Sequence, residues 1–241
     1  MQKAKSAICN LKSSKEEPAI RNPQAEIGWL GWFGDGGEQT HQRGAGLRRV
    51  VLGLCLGLVL WLAGASGAMA ETPWLIPIRT DTTWSLAGSP YIIGQNIEVQ
   101  EGAALTIEPG VEVKFDGNYH LKVLGTLIAK GTADNLITFT SNKAKPVRGC
   151  WQGIQFADSS VDAVVNISGD NYNYASGSVL EYCRLEFGEF AVSSTNSAPF
   201  INHCVISNNY GGIKTVGSSS MVIANNTVSN NSPLGGIRAE S

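Results

Sequence analysis

One nine-residue phrase occurs three times in the C-terminal part of the chain, at residues 180–188, 201–209 and 223–231. The copies begin Leu-Glu-Tyr-Cys, Ile-Asn-His-Cys and Ile-Ala-Asn-Asn, and their starts are offset by 21 and then 22 residues. A fixed period of about 20 residues indicates stacked supersecondary units, because one such unit cannot bury its apolar face alone. The repeat therefore predicts that each segment packs on its equivalents before and after it.

A second, looser repeat precedes the first: residues 97–110 are echoed by residues 121–131 at offsets that shorten from 24 to 21. Alternating apolar triplets follow the two copies, at residues 111–113 and 137–139. Every unit of 21 to 26 residues thus contains three short strands. Alternation places the apolar side chains of each strand on one face. Glycine-containing turns, which supply the backbone freedom of tight corners, separate the strands.

These features predict an all-β protein, a right-handed parallel β-helix in which each strand pairs with its equivalent one coil along. The composition agrees, since only 16 % of the residues are charged and 28 are Gly, as expected for a chain rich in turns and strands. A leucine-rich repeat has a similar period but needs a dense Leu framework and a helical half. A left-handed β-helix would show six-residue repeats, and a β-sandwich would show no such self-similarity.

The first 70 residues are typical of a targeting segment rather than of a folded domain. Arg48 and Arg49 precede an apolar run at 50–62, and Ala68-Met69-Ala70 follows it. This order predicts a signal peptide at residues 47–70, cleaved after Ala70, and a secreted, periplasmic or cell-surface protein. An uncleaved anchor is the alternative, but the run is short of the about 20 residues that span a bilayer. Residues 1–46 show no period and are interpreted as an unstructured extension with a mis-assigned start.

The remaining chain is interpreted as one solenoid with a lead-in and an insertion. Residues 71–95 are expected to cap the open end of a β-helix over residues 96–241. Ile154 and Val192 are predicted to be equivalent although they lie 38 positions apart, so an inserted loop is expected at residues 159–177. Because the chain ends within a coil, we expect it to be a piece of a longer protein.

Few residues carry recognisable chemistry. Cys183 and Cys204 occupy the same position in successive coils, which favours two inward thiols in a ladder, with a disulfide as the alternative. His203 neighbours this column, and neither it nor His120 has a Cys, Asp or Glu at metal-ligand spacing. Residues 71–241 contain 10 Lys and Arg against 15 Asp and Glu, a net charge of −5. A nucleic-acid partner is therefore not expected.

Several segments resemble the opening coils of secreted bacterial right-handed β-helix-repeat proteins of the pectin-lyase-like fold, at residues 99–115, 123–131, 137–141 and 151–156. The resemblance implies the fold and leaves the activity open, since lyases, hydrolases, epimerases and adhesins share it. The polygalacturonase-like Asp-Asp and Gly-His-Gly motifs are missing from the sequence, and Ile213-Lys214 keeps two letters of Arg-Ile-Lys. The carboxylates beside Arg184 fit a solvated face, so no catalytic residue is predicted.

The functional prediction is a non-catalytic scaffold that binds a polysaccharide or cell-envelope glycan. The candidate sugar-contacting residues lie in the insertion: Asp170, Asn171, Tyr172 and Tyr174. Aromatic rings stack on apolar sugar faces while acids and amides bond hydroxyls; an idle insertion is the alternative. A polysaccharide lyase or hydrolase with further coils, and an adhesin or autotransporter passenger, stay open. We expect a monomer with no cofactor; calcium is an alternative that no motif supports.

Overall fold

The structure is a computed structural model that describes residues 71–217 and 220–240. These residues form a right-handed parallel β-helix of about seven turns, which confirms the predicted fold class. Apart from strands they contain a single 3₁₀ turn at Leu86–Gly88. The predicted signal peptide and N-terminal extension lie outside the described residues.

Each coil consists of three short strands in a constant order. The first coils contain β1 (Thr72–Trp74), β2 (Thr82–Trp84), β3 (Tyr91–Ile93), β4 (Ile97–Val99), β5 (Ala104–Ile107), β6 (Glu112–Phe115), β7 (His120–Val123), β8 (Thr126–Lys130), β9 (Ile137–Ser141) and β10 (Gly153–Phe156). A hairpin of β11 (Val164–Ser168) and β12 (Asn171–Ser176) follows. The later coils contain β13 (Val179–Glu181), β14 (Cys183–Glu186), β15 (Phe190–Thr195), β16 (Phe200–Asn202), β17 (Val205–Ser207), β18 (Gly211–Val216), β19 (Ile223–Ala224), β20 (Thr227–Ser229) and β21 (Gly235–Glu240).

Equivalent strands stack into three parallel sheets. Sheet 1 has the order β1-β3-β6-β9-β14-β17-β20, sheet 2 the order β4-β7-β10-β15-β18-β21, and sheet 3 the order β2-β5-β8-β13-β16-β19. Ile201 pairs with Leu180 on one side and with Ile223 on the other. This register confirms the predicted stacking of the threefold phrase. Ile154 likewise pairs with Val192 despite the long stretch between them.

The core is the space that the three sheets enclose. Alternate residues point inward in the early coils, as the succession of buried, intermediate and buried residues in β4 and β7 shows. Aromatic rings fill the wider places: Phe115 stacks on Trp151 with centroids 4.1 Å apart, and the Trp151 Nε1 donates to the Glu186 carbonyl. Since apolar area removed from water is worth roughly 25 cal/mol per Å², this continuous core supplies most of the stability.

Residues 71–95, expected as a cap, contribute β1 and β3 to sheet 1, β2 to sheet 3 and an isolated bridge to sheet 2. β1 pairs with β3, β2 pairs with β5, and Ile78 bridges to Val99. Trp84 stacks on Tyr91 with centroids 4.9 Å apart, and Trp74 meets Trp84 edge-on at 5.3 Å. Three aromatic rings therefore pack together at this end of the solenoid.

Two of the corners are single residues in the left-handed region. Tyr182, His203 and Asn225 occupy one corner with φ values of 50°, 51° and 57°. Phe187, Asn208 and Asn230 occupy the other corner with φ values of 64°, 60° and 53°. Asn tolerates this backbone because its short side chain bonds locally.

Behind the second corner, an amide ladder runs through the solenoid wall. The buried Asn209 accepts a hydrogen bond from the Gly188 amide at 2.7 Å and donates to the Leu185 carbonyl at 3.1 Å. Its Nδ2 also donates to Asn231 Oδ1 at 3.0 Å, and Asn231 donates to the Ile206 carbonyl at 2.9 Å. The ladder satisfies backbone groups that a sharp corner would otherwise leave buried and unpaired.

Candidate functional site

The predicted sugar-contacting residues all lie on the β11–β12 hairpin but not on one surface. Asp170 and Asn171 are exposed at its tip, where Gly169 (φ 58°) and Asp170 form a two-residue turn. Tyr172 and Tyr174 are half-buried and pack on an apolar cluster of Val179 and other residues. The structure therefore separates the acid and amide of the tip from the two rings.

The rings face the outside of sheet 3, which carries an unusual apolar row. Ile128, Val179 and Phe200 are adjacent in register there and point away from the solenoid core. The inner face of the hairpin, with Tyr172 and Tyr174, covers this row. The hairpin thus replaces water over an apolar patch, and the two half-buried rings pack against it.

Tyr174 also contacts a row of polar side chains beside that patch, formed by Lys130, Glu181 and Asn202. Its hydroxyl donates to the Gly177 carbonyl at 2.7 Å, and the Lys130 Nζ lies 4.9 Å from its ring centroid. Glu181 accepts from Lys130 at 3.4 Å and from Asn202 at 2.9 Å. Burial and, to a smaller extent, the negative charge of Glu181 raise the pKa of Tyr174. All of these polar groups have partners, so the row holds the hairpin in place.

Cys183, Cys204, His120 and His203 contact residues of neighbouring coils. Cys183 and Cys204 are buried free thiols, in agreement with the predicted inward ladder. Burial raises the pKa of Cys183 well above its ordinary value, and the hydrogen bond with Cys204 adds to the effect. His203 stacks on Tyr182 with centroids 4.7 Å apart, and the His120 Nδ1 lies 3.1 Å from the Gln152 Oε1.

A partly open cleft with both polar and apolar side chains in its lining lies on the outer face of sheet 2. It has a volume of about 270 Å³ and is lined by Lys122, Gln155, Phe156, Ala157, Asp158, Ser193 and Thr195. Lys122, Gln155 and Ser193 come from β7, β10 and β15 and are adjacent in register. Neighbouring strands are about 4.8 Å apart, so the three polar side chains form an evenly spaced row.

Charges in and around the cleft largely compensate one another. Lys122 lies 4.0 Å from Glu98, the preceding residue of the row. Further along sheet 2, Glu240 binds Lys214 and Arg238, each at 2.8 Å. The hydrogen bond from Lys214 lowers the pKa of Glu240. The centre of the row, Gln155 and Ser193, is neutral and offers both donors and acceptors.

The ionisable side chains in the lining of the cleft are Lys122 and Asp158. Asp158 is the carboxylate in its lining, whereas glycoside hydrolysis usually needs a pair of carboxyl groups. Among residues 71–217 and 220–240, no group of three or more His, Cys, Asp or Glu is arranged to hold a metal ion. Within those ranges, no helix has the length and apolarity of a membrane span.

Sequence reasoning missed the cleft because no motif marks it. Lys122, Gln155 and Ser193 are 33 and 38 positions apart, and only the register of the solenoid brings them together. The available signal was the equivalence of Ile154 with Val192, since it places Gln155 beside Ser193.

The fold and the outer cleft define a right-handed parallel β-helix domain with a solvent-facing groove. A family model described as a pectate-lyase-like β-helix domain matches residues 77–202, more than half of the chain. The chain therefore belongs to the pectate-lyase-like β-helix domain family.

A curated relative gives a shorter match. Protein bark beetle of Drosophila melanogaster is 42 % identical over 64 residues, which cover 27 % of this chain and 2 % of that protein. The match thus spans a small fraction of the length of this relative. No solved structure matches the chain.

Proposed function

We propose that this protein is a secreted β-helix scaffold that binds an uncharged glycan, without cleaving it, in the cleft on sheet 2. The observation that carries the proposal is the row of Lys122, Gln155 and Ser193 along the cleft. Repeated polar side chains at regular spacing suit a polymer whose units present hydroxyl groups repeatedly. Secretion rests on the leader pattern at residues 47–70.

The charge pattern supports an uncharged ligand. Lys122 shares its charge with Glu98 at 4.0 Å, and Asp158 adds a carboxylate to the lining. An acidic polymer would meet both of these carboxylates along its path, which is unfavourable. Hydroxyl groups, by contrast, both donate to and accept from Gln155, Ser193 and Thr195.

The size of the cleft supports a shallow mode of binding. A volume of about 270 Å³ lies just below the roughly 300–1,000 Å³ typical of pockets that enclose small ligands. One sugar ring in the cleft, with the chain continuing across the sheet, fits this volume. The position on a rigid sheet would preorganise the contacts and so limit the entropic cost of binding.

The test is titration of the full chain with neutral and acidic polysaccharides, followed by variants of the cleft. Gln155→Ala and Ser193→Ala each remove hydrogen bonds worth about 1 kcal/mol, so we expect each to weaken binding about fivefold. Ser229→Ala, on the exposed outside of β20, is the matched control and should leave the affinity unchanged.

Further arms separate the competing interpretations. Asp170→Ala and Asn171→Ala test the hairpin tip without removing the packing of the tyrosines, and we expect unchanged affinity. Binding lost with these tip variants but kept with the Gln155 and Ser193 variants would move the site to the hairpin. Release of unsaturated or reducing ends, with or without calcium, would show an enzyme instead.

A further inference from the structure

Three Asn-x-Ser/Thr sequences occur in the chain, at residues 166–168, 225–227 and 230–232. This pattern is the acceptor for N-linked glycosylation wherever the chain enters a compartment with that machinery. The three asparagines differ sharply in what their side chains do in the folded protein, and this difference selects among them.

The last two asparagines are committed to the solenoid corners. Asn225 has a φ of 57°, and its Nδ2 donates to Asn202 Oδ1 at 3.0 Å. Asn230 has a φ of 53°, its Nδ2 donates to Asn208, and its Oδ1 accepts from Arg148 at 2.7 Å. Nδ2 is the atom that a glycan substitutes, so a sugar at either position would sit where the neighbouring coil is bound.

Asn166 has neither a left-handed backbone nor side-chain hydrogen bonds of this kind. It is exposed on β11, and within the described part of the chain its side-chain amide has no hydrogen-bond partner. It pairs with Asn173, and the half-buried Val165 and Tyr174 pair beside it. Since successive residues of a strand point to opposite faces, Asn166 lies on the outer face of the hairpin, away from the sheet that the tyrosines cover.

The hairpin also leaves Asn166 open from the side. β11 and β12 form a two-stranded sheet of their own, so β11 has no second neighbour within the described residues. A glycan on Asn166 would therefore meet no further strand of the described residues on that side.

We propose that Asn166 is an N-glycosylation site and that the other two acceptor sequences stay unmodified. The Asn166 carboxamide nitrogen would form a C–N bond to the anomeric carbon of a lipid-diphosphate-linked oligosaccharide. The C–O bond to the diphosphate breaks, the nitrogen loses one proton, and no atom is oxidised or reduced. The inference rests on the proposed secretion, because the donor is found in the lumen of the secretory pathway.

The experiment is expression of the full chain in insect cells, once with its own leader and once behind an added signal peptide. Treatment with an amidase that removes N-linked glycans should increase the gel mobility of the secreted wild type, and mass spectrometry should locate the resulting Asp at position 166. Asn166→Gln and Ser168→Ala should both abolish the shift. Ser168→Thr should retain it, and Thr227→Ala and Ser232→Ala should leave it unchanged.

The two leaders separate the proposed secretion from the proposed glycosylation. If the native leader fails to direct the chain to the lumen, the proposed secretion is wrong, while the added signal peptide still decides the fate of Asn166. Luminal chain without a glycan on Asn166 would overturn the inference, and so would a shift that persists in Asn166→Gln.

Discussion

Replacement of Asn209 by Ala tests the amide ladder, the feature that closes the corner between sheets 1 and 2. The Asn209 side chain is fully buried. Its Oδ1 accepts from the Gly188 amide at 2.7 Å, and its Nδ2 donates to the carbonyls of Leu185 at 3.1 Å and Ser207 at 2.9 Å. Alanine removes both the acceptor and the donor and leaves the backbone groups in place.

The magnitude follows from the groups left behind. A buried backbone N–H without a partner costs about 1–3 kcal/mol, and Gly188 is in that position. The carbonyls of Leu185 and Ser207 each lose one donor but keep the second lone pair for other partners, so they add less. We expect a loss of about 3 kcal/mol in the free energy of unfolding, a large part of the roughly 5–15 kcal/mol of a typical domain.

Two further variants test whether the loss of stability depends on how deeply the amide is buried. Asn231, half-buried in the next coil, accepts from the Asn209 amide at 3.0 Å, and water can replace part of what Asn231→Ala removes. That variant should cost about 1 kcal/mol. Asn173→Ala makes the same chemical change on the exposed face of the hairpin and should stay within about 0.5 kcal/mol of wild type.

The assay is urea denaturation followed by circular dichroism, together with hydrogen exchange read by mass spectrometry. Solenoids couple only neighbouring repeats, so exchange should accelerate first in peptides that contain β14, β15 and β17. Equal midpoints for Asn209→Ala and Asn173→Ala would refute the reasoning, because the buried amide would then contribute no more than an exposed one.

Three further outcomes are expected. Gly153→Ala should cost at least about 3 kcal/mol, because φ is 98° and a Cβ would lie 1.9 Å from the Phe190 carbonyl oxygen. Gly102→Ala, where φ is 78° and no atom lies within 4 Å of the added Cβ, should cost only about 1 kcal/mol. Equal urea midpoints for Gly153→Ala and Gly102→Ala would contradict this difference. The raised pKa of Cys183 means that the unfolded chain loses the thiol proton first, so wild-type stability should fall above pH of about 8.5 by about 1.4 kcal/mol per unit. Cys183→Ala should flatten that slope in urea titrations, and an unchanged slope would argue against it. Tyr174→Phe removes the hydroxyl that donates to Gly177 at 2.7 Å; about fivefold faster exchange is expected in the hairpin alone, and acceleration throughout the solenoid would be inconsistent.

The stacking was predictable because a solenoid repeats its register in its sequence. Once Leu180, Ile201 and Ile223 are seen as equivalent, the strand pairs follow without any long-range information, and the structure has these pairs. The corner asparagines were predictable for the same reason, since Asn208 and Asn230 recur at the period of the coil with φ values of 60° and 53°.

The packing of the hairpin could not be predicted from the sequence pattern alone. Gly169-Asp170 between two strand-like runs is a turn signal, but alternation within those runs cannot say which surface their apolar side chains will meet. The answer depends on Val179 and Phe200, which lie outside the repeat's inward pattern and form an outer apolar row. The apolar surface on which Tyr172 and Tyr174 pack is therefore visible only once the sheets are assembled, and their contact with a sugar stays a prediction.

Polar side chains on the other surfaces are hydrogen-bonded within the protein, and this difference favours sheet 2 as the binding surface. The outer face of sheet 3 is covered in part by the hairpin, and Glu181 and Asn202 beside it are engaged with each other at 2.9 Å. The corner asparagines are engaged in hydrogen bonds between coils: Asn225 donates to Asn202, and Asn230 donates to Asn208. On sheet 2, the neutral Gln155 and Ser193 line an open cleft and point from a rigid surface toward solvent. Because binding is strongest where the polar groups are preorganised and still lack strong partners, a glycan should select this face over the others.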